Sequence, residues 1–123
     1  MEITPDLHDG YLRSIALVGE DSVEVGCRSL SGQVVTFSIG GVERLLATNF
    51  LAGNIILEVR TFSGADISLE SVATVMGEQP DSYSVKAMFD TARSDNWTAL
   101  EIDSSYGCDL RVLGRCPVRV TRA

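Results

Sequence analysis

Histidine is nearly absent from this chain: His8 stands alone among 123 residues. Acid–base chemistry near neutral pH leans most often on imidazole, so any such chemistry has one side chain to use. Cysteine is sparse too. Cys27, Cys108 and Cys116 are odd in number and widely spaced, with no Cys-x-x-Cys pair. That excludes a disulfide framework and argues against structural zinc, leaving buried small hydrophobes in a reducing cytoplasm as the expectation. Basic residues number 10 against 17 acidic ones, a formal net charge of −7. A general nucleic-acid binder needs a basic surface to neutralise phosphate, and this composition argues against one. No run approaches the ~20 apolar residues that cross a bilayer. The opening Met1-Glu2-Ile3-Thr4-Pro5-Asp6 lacks the basic start and apolar core of a secretory signal. With no Gly-x-Gly-x-x-Gly and no P-loop, nucleotide binding has no support and no cofactor is expected.

What the chain does have is a globular balance, 45% hydrophobic and 22% charged, at a length that fits one domain over 1–123. Residues 12–18 are apolar-rich and end at Gly19-Glu20-Asp21. Val23, Val25 and Cys27 then alternate with Glu24, Gly26 and Arg28, and Val35, Phe37 and Ile39 alternate with Val34, Thr36 and Ser38. Period 2 marks half-buried strands, and two antiparallel hairpins in a meander is the economical arrangement. Segment 42–50 is open between strand and helix. The turn-like Ala52-Gly53-Asn54 and the alternation of Ile55, Leu57 and Val59 favour a hairpin of 42–50 with 54–62.

Two helices are predicted. Leu69, Val72, Ala73 and Met76 have helical spacing, with Ser68 as N-cap and Gly77 as the stop. Val85, Met88, Phe89 and Ala92 repeat it after Pro80-Asp81-Ser82. Strands over 99–103 and 110–121 close the chain, with Pro117 at an edge or bulge because it has no amide hydrogen to donate. The fold class is therefore mainly β (α+β): an antiparallel sheet, sandwich or partly open barrel of about seven or eight strands with one or two short helices. The expected core comprises Ile15, Leu17, Val25, Val35, Phe37, Leu57, Val59, Val85, Phe89, Ile102, Val112 and Val118. Trp97 is expected to anchor the second helix to the following strand.

Three features bear on chemistry. His8 lies beside Asp9, although neighbours in extended chain point apart, and a turn-fixing hydrogen bond is the commoner role for such a histidine. Asp103, Ser105, Cys108 and Asp109 gather carboxylates, a hydroxyl and a thiol around Gly107. A nucleophile there would need a base, and only His8 is on offer; hairpin turns favour the same residue types. One histidine and scattered carboxylates are also a poor metal set. The third feature is a charge asymmetry. Residues 1–109 carry 17 acidic and 6 basic side chains, a balance of −11, while 110–123 carry four arginines and no acid. If 110–121 is one strand, Arg111, Arg115 and Arg119 share a face, either salted against acidic neighbours or forming an anion- or protein-recognition stripe.

The opening Leu7-His8-Asp9-Gly10, followed by Leu12 and Ile15, resembles that of small bacterial domains of unknown function and of some toxin-immunity proteins. Gly53-Asn54-Ile55-Ile56-Leu57 and Ser105-Tyr106-Gly107-Cys108 fit the same kind of domain. The resemblance implies a β-rich fold and, for immunity proteins, the neutralisation of a toxin by binding; it carries no catalytic residue with it. The functional expectation is a non-enzymatic, immunity-type protein-binding domain whose acidic surface attracts a basic partner. Two alternatives stay open: a small enzyme or ligand-binding barrel using His8 with Asp103, Cys108 or Asp109, and a structural homo-oligomer.

Overall fold

The alternation over 23–39 is realised as pairing. In a computed structural model describing residues 5–123, β1 (Tyr11–Val18), β2 (Ser22–Arg28) and β3 (Val34–Ile39) form an antiparallel meander. The acidic opening at 1–4 lies outside the described residues. Then come β4 (Val42–Thr48), β5 (Asn54–Ser63), α1 (Leu69–Met76), α2 (Tyr83–Ser94), β6 (Thr98–Tyr106), β7 (Asp109–Gly114) and β8 (Arg119–Arg122). All eight strands join one antiparallel sheet in the order β4-β7-β6-β5-β1-β2-β3-β8. The expected class is what the chain adopts. No helix among the described residues is long and apolar enough to cross a membrane.

Two connections fold this sheet over on itself. β1 meets β5 through only two residue pairs, Tyr11 with Ile55 and Leu12 with Asn54. At the opposite corner, Arg115 N donates to Gly41 O and Cys116 N to Gly40 O, so the link from β3 to β4 runs beside the link from β7 to β8. The inner faces then share one core. Val23, Val25, Val35 and Phe37 come from the β1-β2-β3-β8 half, and Ile56, Val59, Leu100, Ile102, Leu110 and Val112 from the other. The outer face of the second half is covered by both helices, which bury Val72, Val75, Val85 and Ala92 against Ala99, Leu113 and Trp97. Trp97 N donates to Ala92 O, fixing the end of α2 to the start of β6 as expected. Helix boundaries follow their caps: Ser68 and Ser82 accept from Ser71 N and Val85 N, and Gly77 ends α1 with φ at 68°.

Four expectations are corrected. Segment 42–50 does contain a strand, but β4 pairs with β7 rather than β5. The cause is Asn54, whose buried side chain ties the start of β5 to β1 and to the β6–β7 turn, drawing loop 49–53 across the end of the sheet. Leu57 is exposed because a register shift in β5 puts Ile56 and Val59 on the inner face instead. Leu17 stands opposite buried Val23 yet is 79% exposed, since β1 leaves β5 after Leu12 and nothing lies over its far end. Residues 110–121 are not one strand: the chain breaks between Gly114 and Arg119, around Pro117, and leaves Cys116 and Val120 exposed.

Candidate functional site

His8, Asp103, Cys108 and Asp109, singled out as possible enzyme groups, are each engaged in the fold. His8 follows a short 3-10 turn (Pro5–Leu7), and its Nδ1–H donates to Leu57 O at 2.7 Å. Its Nε2 lies 3.6 Å from Asp9, with the ring about half exposed. The peptide groups of Asp9, Gly10 and Ile56 stitch this turn to β5, so the ring completes a backbone junction. Asp109 accepts from Ser104 N at 2.8 Å and from Ser104 Oγ at 2.9 Å, closing the β6–β7 hairpin. Cys108 is 1% exposed, and burial pushes its thiol above the ordinary range; Cys27 is likewise pushed up to about 12 by burial. Thiols held neutral in this way are poor nucleophiles. Among the described residues, no three His, Cys, Asp or Glu side chains stand together in a way that would hold a metal ion.

Asp103 belongs to an ion network on the outer face of the second half. Arg60 bonds Glu58, Asp103 and Glu101, while Arg111 bonds Asp103 at 2.6 Å. Glu101, buried, also accepts from Ser71 Oγ at 2.7 Å, which connects the network to the first turn of α1. Burial opposes the charge on Arg60, but the three carboxylates outweigh it and hold its pKa above the usual guanidinium value. The arginine stripe does not form. Arg111 sits in this network, Arg115 reaches Asp21 and Glu43 at the sheet corner, and Arg119 is exposed opposite Ser38 on β3.

A more coherent surface lies on the helical side. Met76, Tyr83, Ala87, Met88 and Trp97, with Arg44 from β4, line a groove of about 410 Å³. Tyr83 is 88% exposed at the first position of α2, off the stripe that faces the core. Ser84 Oγ, also in the groove, donates to Glu78. Over 64–97 there are six acidic residues (Asp66, Glu70, Glu78, Asp81, Asp90, Asp95), all exposed, against Lys86 and Arg93. That balance of −4 is more than half of the chain's −7. The helical spacing that includes Met76 and Met88 places both against the helix-side core, where they pack, and gives no role to Tyr83. The available signal was an aromatic side chain just after the Ser82 cap, out of phase with Val85, Met88, Phe89 and Ala92. None of His8, Asp103, Cys108 or Asp109 lines this groove. Comparison of the chain with protein-family models, with curated proteins and with solved structures gives no match.

Proposed function

We propose that this chain is a non-enzymatic protein-binding domain that takes a basic partner on its helical face. The carrying observation is the coincidence of the Met76–Tyr83–Met88–Trp97 groove with five exposed carboxylates on and around the two helices (Glu70, Glu78, Asp81, Asp90, Asp95) against Lys86, Arg93 and the groove-lining Arg44. Tyr and Trp concentrate binding energy at interfaces, and methionines adapt their shape to a partner's apolar anchor. The surrounding negative field speeds encounter with a positive surface and disfavours acidic competitors. The groups that would serve an enzyme are engaged elsewhere: Asp103 by two arginines, Asp109 by Ser104, and His8 by the Leu57 carbonyl. Immunity-type neutralisation of a toxin, in the cytoplasm, is the specific form of this reading that the Leu7-His8-Asp9-Gly10 resemblance implies.

Affinity capture with wild-type protein and with Tyr83→Ala in parallel tests the proposal. A basic protein should be retained by the wild type, released as salt approaches about 1 M, and bound at least about 30-fold more weakly by the variant, a loss of hot-spot size. Co-expression with that protein should relieve its toxicity. Capture indifferent both to Tyr83 and to salt would remove this face from consideration.

A further inference from the structure

At the far end of the sheet from His8, the inner face of β5 and β6 changes character. Val59, Leu100 and Ile102 fill the core, but the next inner-facing positions are Thr61, Ser63 and Thr98, with Ser63 paired directly opposite Thr98. These hydroxyl residues, with Asp66, Pro117 and Val118, line an open cleft of about 530 Å³, a size typical of small-molecule sites.

Thr98 is the informative residue. It is only 6% exposed, yet its hydroxyl has no hydrogen-bond partner among the described residues. It is also not a fully enclosed, unsatisfied atom, so it opens onto the cleft it lines. A nearly buried hydroxyl left unbonded is costly unless water or a ligand meets it. Asp66 supplies the charge. It ends a 3-10 turn (Gly64–Asp66) that is fixed on both sides: Gly64 N donates to Trp97 O, and buried Ile67 donates back to Gly64 O. The Asp66 carboxylate has no ion pair among the described residues, and no lysine or arginine lines the cleft.

From this we infer that the cleft is a binding site for a small organic cation, an ammonium group on an apolar body. The carboxylate of Asp66 and the oxygens of Ser63 and Thr98 accept from the ammonium, and Pro117 and Val118 flank the body. This site shares no residue with the Tyr83 groove, so either reading can fail without the other.

The test is an amide NMR titration of the full chain with 2-phenylethylammonium, its neutral counterpart 2-phenylethanol, and 3-phenylpropanoate. The ammonium should give saturable shifts at Ser63, Asp66, Thr98 and Val118 while the Tyr83 amide stays still. The alcohol should bind more weakly and the carboxylate not at all. Asp66→Asn should weaken the ammonium about tenfold, the usual scale of a charge-assisted hydrogen bond. Thr98→Val, a near-isosteric change, should weaken both the ammonium and the alcohol. The same spectra report whether each variant is folded. Equal binding of the anion, shifts that never saturate, or an Asp66→Asn variant that binds like wild type would overturn the inference.

Discussion

Asn54 uses the whole hydrogen-bonding capacity of its amide inside the protein. Its Oδ1 accepts from Leu51 N at 2.8 Å and Cys108 N at 3.0 Å, while Nδ2 donates to Leu51 O at 2.8 Å and Leu12 O at 3.2 Å. One side chain thus closes the β4–β5 loop, holds β5 to β1 and secures the β6–β7 turn. Gly107 makes room for it: a Cβ there would lie 2.4 Å from Asn54 Oδ1, and its φ of 88° is one that side-chain-bearing residues rarely adopt. Replacing Asn54 with Leu leaves four backbone groups unsatisfied, at roughly 1–3 kcal/mol for each one that stays dry. Urea denaturation should therefore show a loss of at least about 3 kcal/mol, with Gly107→Ala also destabilised. A change of less than about 1 kcal/mol for Asn54→Leu would mean that water replaces the amide. None of this was visible in the sequence, where Gly53-Asn54 reads as an ordinary turn. The turn-fixing role weighed for His8 fits the bond to Leu57 O, because a histidine entering a strand has backbone groups within reach before any distant carboxylate.

At the scale of elements, legibility depended on whether the signal was local. The helices could be read almost to the residue because caps and apolar spacing lie within one turn of the backbone they control. Strand positions were legible for the same reason, but partners were not. β4 finds β7 through contacts some sixty residues apart, such as Thr48 with Asp109. The register shift in β5 inverted the reading of Leu57 and Ile56 because alternation assumes an unbroken pleat. The cap of α1 is itself joined to the sheet: Ser68 Oγ accepts from Ser71 N at 3.1 Å and bonds Ser71 Oγ, which in turn donates to Glu101. Ser68→Ala should cost about 1 kcal/mol as a lost N-cap. Ser71→Ala and Glu101→Leu should be non-additive by more than about 0.5 kcal/mol in a double-mutant cycle, since each removes the same contact. Strict additivity would mean that helix and ion network are energetically separate.

Across the whole molecule, the four C-terminal arginines lie far apart, and two of them bind the chain's end to acids from distant segments. Arg122 reaches Asp6 and Arg115 reaches Asp21 and Glu43, while Arg111 reaches Asp103 within the β6–β7 hairpin. The +4 balance of 110–123 was legible in the sequence; the dispersal was not, because it depends on the break around Pro117 and on strand partners chosen elsewhere. These contacts also bear on how stability varies with pH. The hydrogen bond from Arg122 holds the Asp6 carboxyl below its ordinary 3.8, so the contribution of that pair is present above 3.8 and is lost as pH falls through the lowered value. Cys27 acts at the other end. Its folded-state pKa of about 12 lies above the ordinary 9.0, so below 9.0 the thiol is neutral in both states and stability is intact. From 9.0 upward the unfolded chain ionises while the folded one does not, and stability drains until about pH 12, by as much as roughly 4 kcal/mol. Urea midpoints should form a plateau between these limits. Asp6→Asn should fall slightly below wild type on the plateau and converge with it at strongly acid pH. Cys27→Ala should lose stability everywhere through the cavity it leaves, but its alkaline slope should be shallower than that of wild type. An unchanged slope in Cys27→Ala would mean that another group governs alkaline unfolding.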